Sequence, residues 1–330
     1  MIMRTVRDKV TPVADMRFRR LGDSGLVVSV VGIGCNNFGG RIDAHRTDEV
    51  VHAALDLGVN LFDTADSYGN PVGRSEKLLG SALGRRRDKA IIATKFGSDL
   101  GGENGLDWGS RGSRRYIIRA VESSLRRLNT DYIDLYQIHW PDPRTPLEET
   151  LDALGDLVRE GKVRYIGCSN YAGWQVADAA WIAKTRNLTP FVSAQNQYSL
   201  LNRDVERDLV PACERFGLGV LPYFPLASGL LTGKYRRGEM PPAGTRLSGE
   251  RHSQLLLEAP WDTIELLGRY AEQRGRAMLE VAIGGLAAQP SVASVIAGAT
   301  SADQVHANVA AGAWEPTHED LIELDEITKA

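Results

Sequence analysis

Two carboxylates and a phenol fall close together in Asp63-Thr64-Ala65-Asp66-Ser67-Tyr68-Gly69-Asn70, immediately after the apolar run Val59–Phe62. Such a run reads as a buried strand. The acids and the phenol then sit on a strand-to-loop junction, where the loops of an alternating β/α chain share one face and side chains converge. The same string, opening on Asp and closing near Gly, also suits a solvated turn that caps the next helix. Two further polar heads follow buried runs: Lys95 after Ile91–Thr94, and His139 after Leu135–Ile138. A single strand-end lysine reads as a solvated cap, and a single histidine as a hydrogen-bonded structural residue; their joint occurrence carries more. If successive strands deliver them to one mouth, Asp63, Tyr68, Lys95 and His139 meet around one small volume. An ammonium beside a phenol favours the phenolate, so Lys95 is expected to lower the Tyr68 pKa from about 10 and make it a better proton donor near neutrality. Asp63 would keep Lys95 charged, and His139 would hydrogen-bond and orient a substrate oxygen.

The elements that must position these residues alternate along the chain. Arg17–Leu21 and Leu26–Ser29 flank Gly22-Asp23-Ser24-Gly25 as hairpin arms. Candidate strands follow at Val30–Gly34, Val59–Phe62, Ala90–Thr94, Ile133–Ile138, Val163–Gly167, Phe191–Ala194, Gly219–Leu221 and Val292–Ile296. Between them, apolar residues recur at helical spacing, as in Ile117, Ala120, Val121, Ser124, Leu125 and Leu128. A doubly wound sheet uses the same alternation, but eight units with no break in composition favour one closed (β/α)8 TIM barrel. The expected fold is that α/β barrel over residues 16–330, with an N-terminal β-hairpin and extra helices near the C-terminus, at Trp261–Arg274 and His318–Thr328. Two long interruptions, Gly97–Ser113 and Arg236–Pro260, are expected to act as lids on the acidic face.

Bulk properties narrow the class. The chain has 330 residues, 43% apolar and 25% charged, with a formal charge of −3, which gives no general pull towards nucleic acid or anionic membranes. Cys35, Cys168 and Cys213 are far apart and form no CxxC pair, so a reducing cytoplasm is expected. Residues 1–15 lack the apolar stretch of a signal peptide and are expected to form a mobile leader. Two glycine strings are decoys. Gly32-Ile33-Gly34 begins like a dinucleotide fingerprint, but the third glycine position is Asn37; Gly229–Tyr235 has one residue too few between its glycines, and no hydroxyl after Lys234, for a phosphate-binding loop.

Taken with Thr94-Lys95, the motifs DTADSYG, LYQIHW, GKVRYIGCSNY (161–171), SAQNQYS (193–199), LPYFPLASGLLTGKY (221–235) and VIAGATSADQVHAN (295–308) resemble those of the aldo-keto reductases from about Arg17 to the C-terminus. The resemblance implies a barrel that binds a nicotinamide dinucleotide without a Rossmann domain, and NAD(P)H-dependent reduction of aldehydes or ketones with no metal. It implies Asp63, Tyr68, Lys95 and His139 as the catalytic residues, with Tyr68 as general acid. Ser169, Asn170 and Gln195 would bind the nicotinamide carboxamide, and Tyr223 would stack on its ring. Pro225, Leu226, Ser228, Gly229 and Leu231 would lie over the pyrophosphate, and Gly298, Thr300, Gln304 and Asn308 would contact the adenosine half. Relatives that prefer the phosphorylated cofactor commonly carry a basic residue near the start of the last motif, where this chain has Gly298-Ala299-Thr300-Ser301. Hydroxyls and amides at the next helix start could hold a phosphate instead, so NADPH is expected, with NADH the alternative. Phe38, Trp108, Trp140 and Phe224 are candidate substrate-pocket walls. Two rivals remain: a nucleotide-binding regulatory subunit acting through protein contacts, and a barrel hydrolase using Asp63 and Asp66 as an acid/base pair. The first is disfavoured by the intact set of four residues; the second leaves the later motifs unexplained.

Overall fold

The structure, a computed structural model, describes residues 16–249 and 253–329; the expected leader at 1–15 lies outside them. Strand β1 (Phe18–Arg20) pairs antiparallel with β2 (Val27–Ser29). Eight parallel strands follow: β3 (Val31–Gly34), β4 (Leu61–Asp63), β5 (Ile91–Phe96), β6 (Ile133–Ile138), β7 (Val163–Ser169), β8 (Ser193–Gln195), β9 (Gly219–Val220) and β10 (Val295–Gly298). They pair in chain order, with β10 returning to β3. The last seam closes because Ala293 N–H donates to the Val220 carbonyl at 3.0 Å and Ile296 N–H to the Pro222 carbonyl at 3.1 Å. The fold is therefore a (β/α)8 barrel.

Around it run α1 (Ala44–Asp56), α2 (Arg74–Leu83), α3 (Arg114–Leu128), α4 (Leu147–Arg159), α5 (Gly173–Arg186), α6 (Leu209–Phe216), α7 (Ser253–Leu257), α8 (Trp261–Gln273), α9 (Met278–Ala287), α10 (Ala302–Ala311) and α11 (His318–Lys329). Helices α1–α6, α9 and α10 bury an apolar stripe in the core around the sheet; on α3, Ile117, Ala120, Val121, Leu125 and Leu128 are all buried, at about 1.5–3 kcal/mol for each large aliphatic side chain. Local sequence sets several ends. Asp43 caps α1 by accepting the Arg46 N–H, Ser301 caps α10, and Asn129 ends α3 in the left-handed conformation.

The strand alternation sorts side chains into two sets. Phe62, Ile92, Phe96, Tyr136, Ile138, Ile166 and Cys168 face the helices in the main core. Leu61, Ala93, Leu135, Leu221 and Ile296 fill the barrel interior, packed with Leu21 and Val28, so the hairpin plugs one end. Two residues further along, the same inward alternation carries Asp63 and Lys95. Gly32 has no room for a side chain, since an added Cβ would stand 3.0 Å from Ser294 Oγ and 3.1 Å from Leu61 Cδ2; it serves packing, which disposes of the fingerprint reading. Strand ends differ from expectation by at most three residues, the largest shift being at the start of β10. The shift at β5 places Lys95 and Phe96 inside the strand, where Phe96 pairs with Ile138 of β6.

Candidate active site

At the C-terminal ends of the strands the barrel opens into a cavity of about 630 Å³. Asp63 comes from the end of β4, Lys95 from β5, His139 from the residue after β6, and Tyr68 from the loop after β4. Lys95 Nζ lies 2.8 and 2.7 Å from the two Asp63 carboxylate oxygens and 2.9 Å from the Thr64 carbonyl, with no exposure to solvent. The Lys95 ammonium stands 5.1 Å from the Tyr68 ring centroid, and the His139 ring meets Tyr68 edge-on at 5.9 Å. Asp63, Tyr68 and His139 line the cavity; Lys95 sits behind them.

The electrostatics follow from burial. Desolvation works against the Lys95 ammonium, but Asp63 and Tyr68 outweigh it and its pKa rises above the ordinary value. Burial, then the Lys95 charge, push His139 down to about 3, so its ring is neutral across the physiological range. For Tyr68 the expected sign is reversed. Burial raises the phenol pKa, and the opposing pull of Lys95 does not cancel it. The phenol therefore keeps its proton at neutral pH. Any phenolate that forms in the cavity is still favoured by Lys95.

The cavity continues along the ends of β7, β8, β9 and β10. Ser169 at the end of β7 and Asn170 just after it line the cavity, as does Gln195 at the end of β8. Ser169 Oγ donates to the Gln195 carbonyl at 2.8 Å, and Asn170 Nδ2 donates to the His139 carbonyl at 2.9 Å while its Oδ1 accepts the Tyr223 hydroxyl at 2.7 Å. Gln195 is engaged differently from expectation, since its amide donates to Asp63 Oδ1 at 2.8 Å and joins the charged pair. Tyr223, Pro225, Leu226, Ser228 and Gly229 form the next wall, and Gly298, Thr300, Gln304 and Asn308 the far end. Asn170, Phe224 and Ser228 all hold positive φ, at 60°, 52° and 59°. Such strain in non-glycine residues gathers at sites where the surroundings impose it.

Several expected residues fall elsewhere. Leu231 is fully buried against Leu267 and Trp314, away from the cavity. Phe38, in a short apolar context, is swallowed by the main core. Trp108 is 67% exposed and stacks under the Arg115 guanidinium, so it is not a wall; Trp140 and Phe224 are. Asp66, which a solvated turn would leave exposed, is fully buried and accepts from Asn104 Nδ2 at 3.3 Å. It does not line the cavity, so it cannot pair with Asp63 across a substrate.

The segment read as a lid over 97–113 is tied down. Gly112 N–H donates to Asp142 at 2.6 Å, Thr150 Oγ1 to the Gly112 carbonyl at 2.8 Å, and Arg111 pairs with Asp99 and Asp107. The 236–260 segment contains α7 and a helical turn at Arg246–Ser248, and its Ala243–Arg246 stretch lines the cavity. Three cations also line it that sequence reading did not assign: Arg41, Lys234 and Arg246. None has a carboxylate partner among the described residues. Burial and the neighbouring Arg41 lower the Arg246 pKa, and its guanidinium lies 5.3 Å over the Phe224 ring. Lys234 was in plain view inside the rejected phosphate-loop string. Arg41 and Arg246 carried no local signal, being a loop residue after glycines and one cation in a long polar segment.

Residues 30–329 match the model of the aldo/keto reductase family. Among curated relatives, an L-glyceraldehyde 3-phosphate reductase of Escherichia coli (strain K12) is 34% identical over 308 residues, covering 90% of this chain and 87% of the relative. A probable voltage-gated potassium channel subunit beta of Oryza sativa subsp. japonica is 35% identical over 311 residues, 90% of this chain and 91% of the relative. The aldo-keto reductase dtxS3 of Metarhizium robertsii is 35% identical over 343 residues, with 94% and 90% covered.

Proposed function

The chain belongs to the aldo/keto reductase family, and from that premise we propose that it reduces an aldehyde or ketone to the alcohol, reversibly, with NADPH and with Tyr68 as the general acid. The observation that supports this best is the Asp63–Lys95 pair held beneath Tyr68, beside neutral His139, at the closed end of a cavity long enough to run on to Gln304 and Asn308. The bound dinucleotide would supply the hydride. Ser169 and Asn170 would hold its carboxamide, and Tyr223 offers an aromatic face for its ring. The strained turn at Pro225–Gly229 and the Lys234 ammonium would face the phosphates.

The chain's own residues do the rest. The Tyr68 hydroxyl, protonated at neutral pH, gives its proton to the carbonyl oxygen as negative charge develops there. Lys95 stabilises the phenolate left behind, and Asp63 keeps Lys95 charged throughout. The His139 N–H orients the same oxygen. Trp140 and Phe224, which line the cavity, would limit water around the bound carbonyl.

The phosphorylated cofactor is favoured because Arg41 and Arg246 bring two guanidiniums, without carboxylate partners among the described residues, to the cavity that also contains Thr300 and Gln304. These replace the basic residue missing from 298–301. A guanidinium half-withdrawn from water beside a second one is unfavourable until an anion joins them.

The test is a screen of small aldehydes, ketones and sugars, following oxidation of NADPH and of NADH. Turnover with NADPH at the lower Michaelis constant is expected. Preference for NADH would overturn the cofactor assignment. The likeness to the rice channel subunit favours a second reading, a nucleotide-binding subunit acting through protein contacts; tight NADPH binding with no turnover of any carbonyl class would select it.

A further inference from the structure

Ser98 belongs to the pinned 97–113 segment and lies outside the lining of the cavity. Its Oγ stands 3.0 Å from His139 Nδ1. The His139 ring is held on that edge by Ser98 and on its face by Trp140, stacked at 5.9 Å with a 15° tilt. Its backbone is fixed too: the His139 N–H donates to the Phe96 carbonyl at 2.8 Å, and its carbonyl accepts from Asn170. The remaining ring nitrogen, Nε2, has no protein partner among the described residues, and His139 lines the cavity.

A neutral imidazole carries one proton, and the partner of one nitrogen decides what the other presents. Two arrangements satisfy the 3.0 Å contact. If Nδ1 carried the proton, Ser98 Oγ would accept it, the serine's own proton would find no other acceptor among the described residues, and a bare Nε2 lone pair would face the cavity. If the Ser98 hydroxyl donates to Nδ1, both groups are satisfied and Nε2–H faces the cavity as a donor. The Ser98 backbone is held as well. The Tyr116 hydroxyl, from α3, donates to the Ser98 carbonyl at 3.3 Å, and Asn104 Nδ2 reaches both that hydroxyl, at 3.4 Å, and Asp66, at 3.3 Å.

We infer that Ser98 is a positioning residue that donates to His139 Nδ1 and so fixes the Nε2–H tautomer, giving the cavity a hydrogen-bond donor for a carbonyl oxygen. The tautomer rests on the Ser98–His139 contact and on a neutral His139 ring; its catalytic consequence rests on the carbonyl-reducing function proposed above.

Nitrogen NMR of the full chain labelled with nitrogen-15 histidine tests it, the His139 signals being identified by their loss in His139→Asn. In the wild type at pH 7, Nε2 is expected to be protonated and Nδ1 bare. Ser98→Ala should lose that pattern, the two nitrogen shifts moving towards each other, while Ser98→Thr, which keeps the hydroxyl, restores it. With the best carbonyl substrate, Ser98→Ala should lower kcat about fivefold to tenfold, the size set by one neutral hydrogen bond, with NADPH affinity unchanged and Ser98→Thr near wild type. A wild-type His139 protonated on Nδ1, or a Ser98→Ala spectrum with the wild-type tautomer, would overturn the inference. Absence of carbonyl turnover by the wild type would defeat the proposed function instead, and the spectra would still decide the role of Ser98.

Discussion

Tyr68 and Asp66 lie two positions apart and have opposite fates. Tyr68 opens into the cavity over Lys95, whereas Asp66 is closed off behind the strand ends. Tyr68→Phe keeps the ring and removes only the transferable proton. It should cost turnover about 10²–10⁴-fold, the range for a positioned general acid, while NADPH titrated by fluorescence binds as in the wild type; near wild-type activity would sink the assignment. Asp66 makes a stability prediction. Burial, then the Glu76 charge, hold its carboxyl well above the usual carboxylate range. The folded chain thus keeps a proton that the unfolded chain releases above about pH 4, so this group lowers stability as pH rises from there towards its folded pKa. Asp66→Asn removes that dependence. The urea-unfolding free energy of the variant minus that of wild type should therefore climb between pH 4 and 7, by up to about 1.4 kcal/mol per unit. Taking the difference cancels the opposite trend from His139, present in both. A difference flat with pH would mean Asp66 is ionised in the fold.

The helices position the site through close contacts that a pattern of apolar residues does not reveal. Gly80 in α2 is such a point, because a Cβ there would stand 2.1 Å from the Leu128 carbonyl oxygen at the end of α3. Backbone cannot retreat as a flexible side chain does, so Gly80→Ala must part the two helices. Nearby, Arg127 of α3 donates to Glu76 of α2 at 2.6 Å, and Glu76 in turn accepts from Thr94 of β5, next to Lys95. The substitution should destabilise by about 1–3 kcal/mol, read as a lower urea midpoint with an unchanged slope. A loss under about 0.5 kcal/mol would show that the helices tolerate separation.

For the whole molecule, the barrel is a fixed frame and the cavity runs along the ends of its later strands. Ligand binding to the folded state alone should stabilise it by mass action, by about 2.7 kcal/mol at a hundred times the dissociation constant. At equal concentrations NADPH is expected to raise the thermal unfolding temperature more than NADH. Arg246→Ala should shrink the NADPH shift towards that of NADH while leaving the NADH shift nearly intact. A larger shift with NADH in the wild type would remove the proposed role of the arginines.

The alternation of apolar runs was enough to count eight strands, to place their ends to within three residues, and to mark the stripe Ile117–Leu128 as buried, since period and hydrophobicity are local properties. The motifs likewise pointed to Asp63, Tyr68, Lys95 and His139, because a polar head after a buried strand has a forced direction once the strand is in a closed barrel. Direction is all that local pattern supplies. Whether Phe38 faced the cavity or the core, whether Asp66 was wet, and whether Lys95 would outweigh burial at Tyr68 depended on what packed against each residue, and those neighbours come from other strands. The same holds for Arg41, Lys234, Arg246 and Ser98: each is an ordinary loop residue in the chain, and becomes part of the site only because barrel closure sets the β3, β5 and β9 loops around one cavity, where charge, solvent and hydrogen-bond partners are shared.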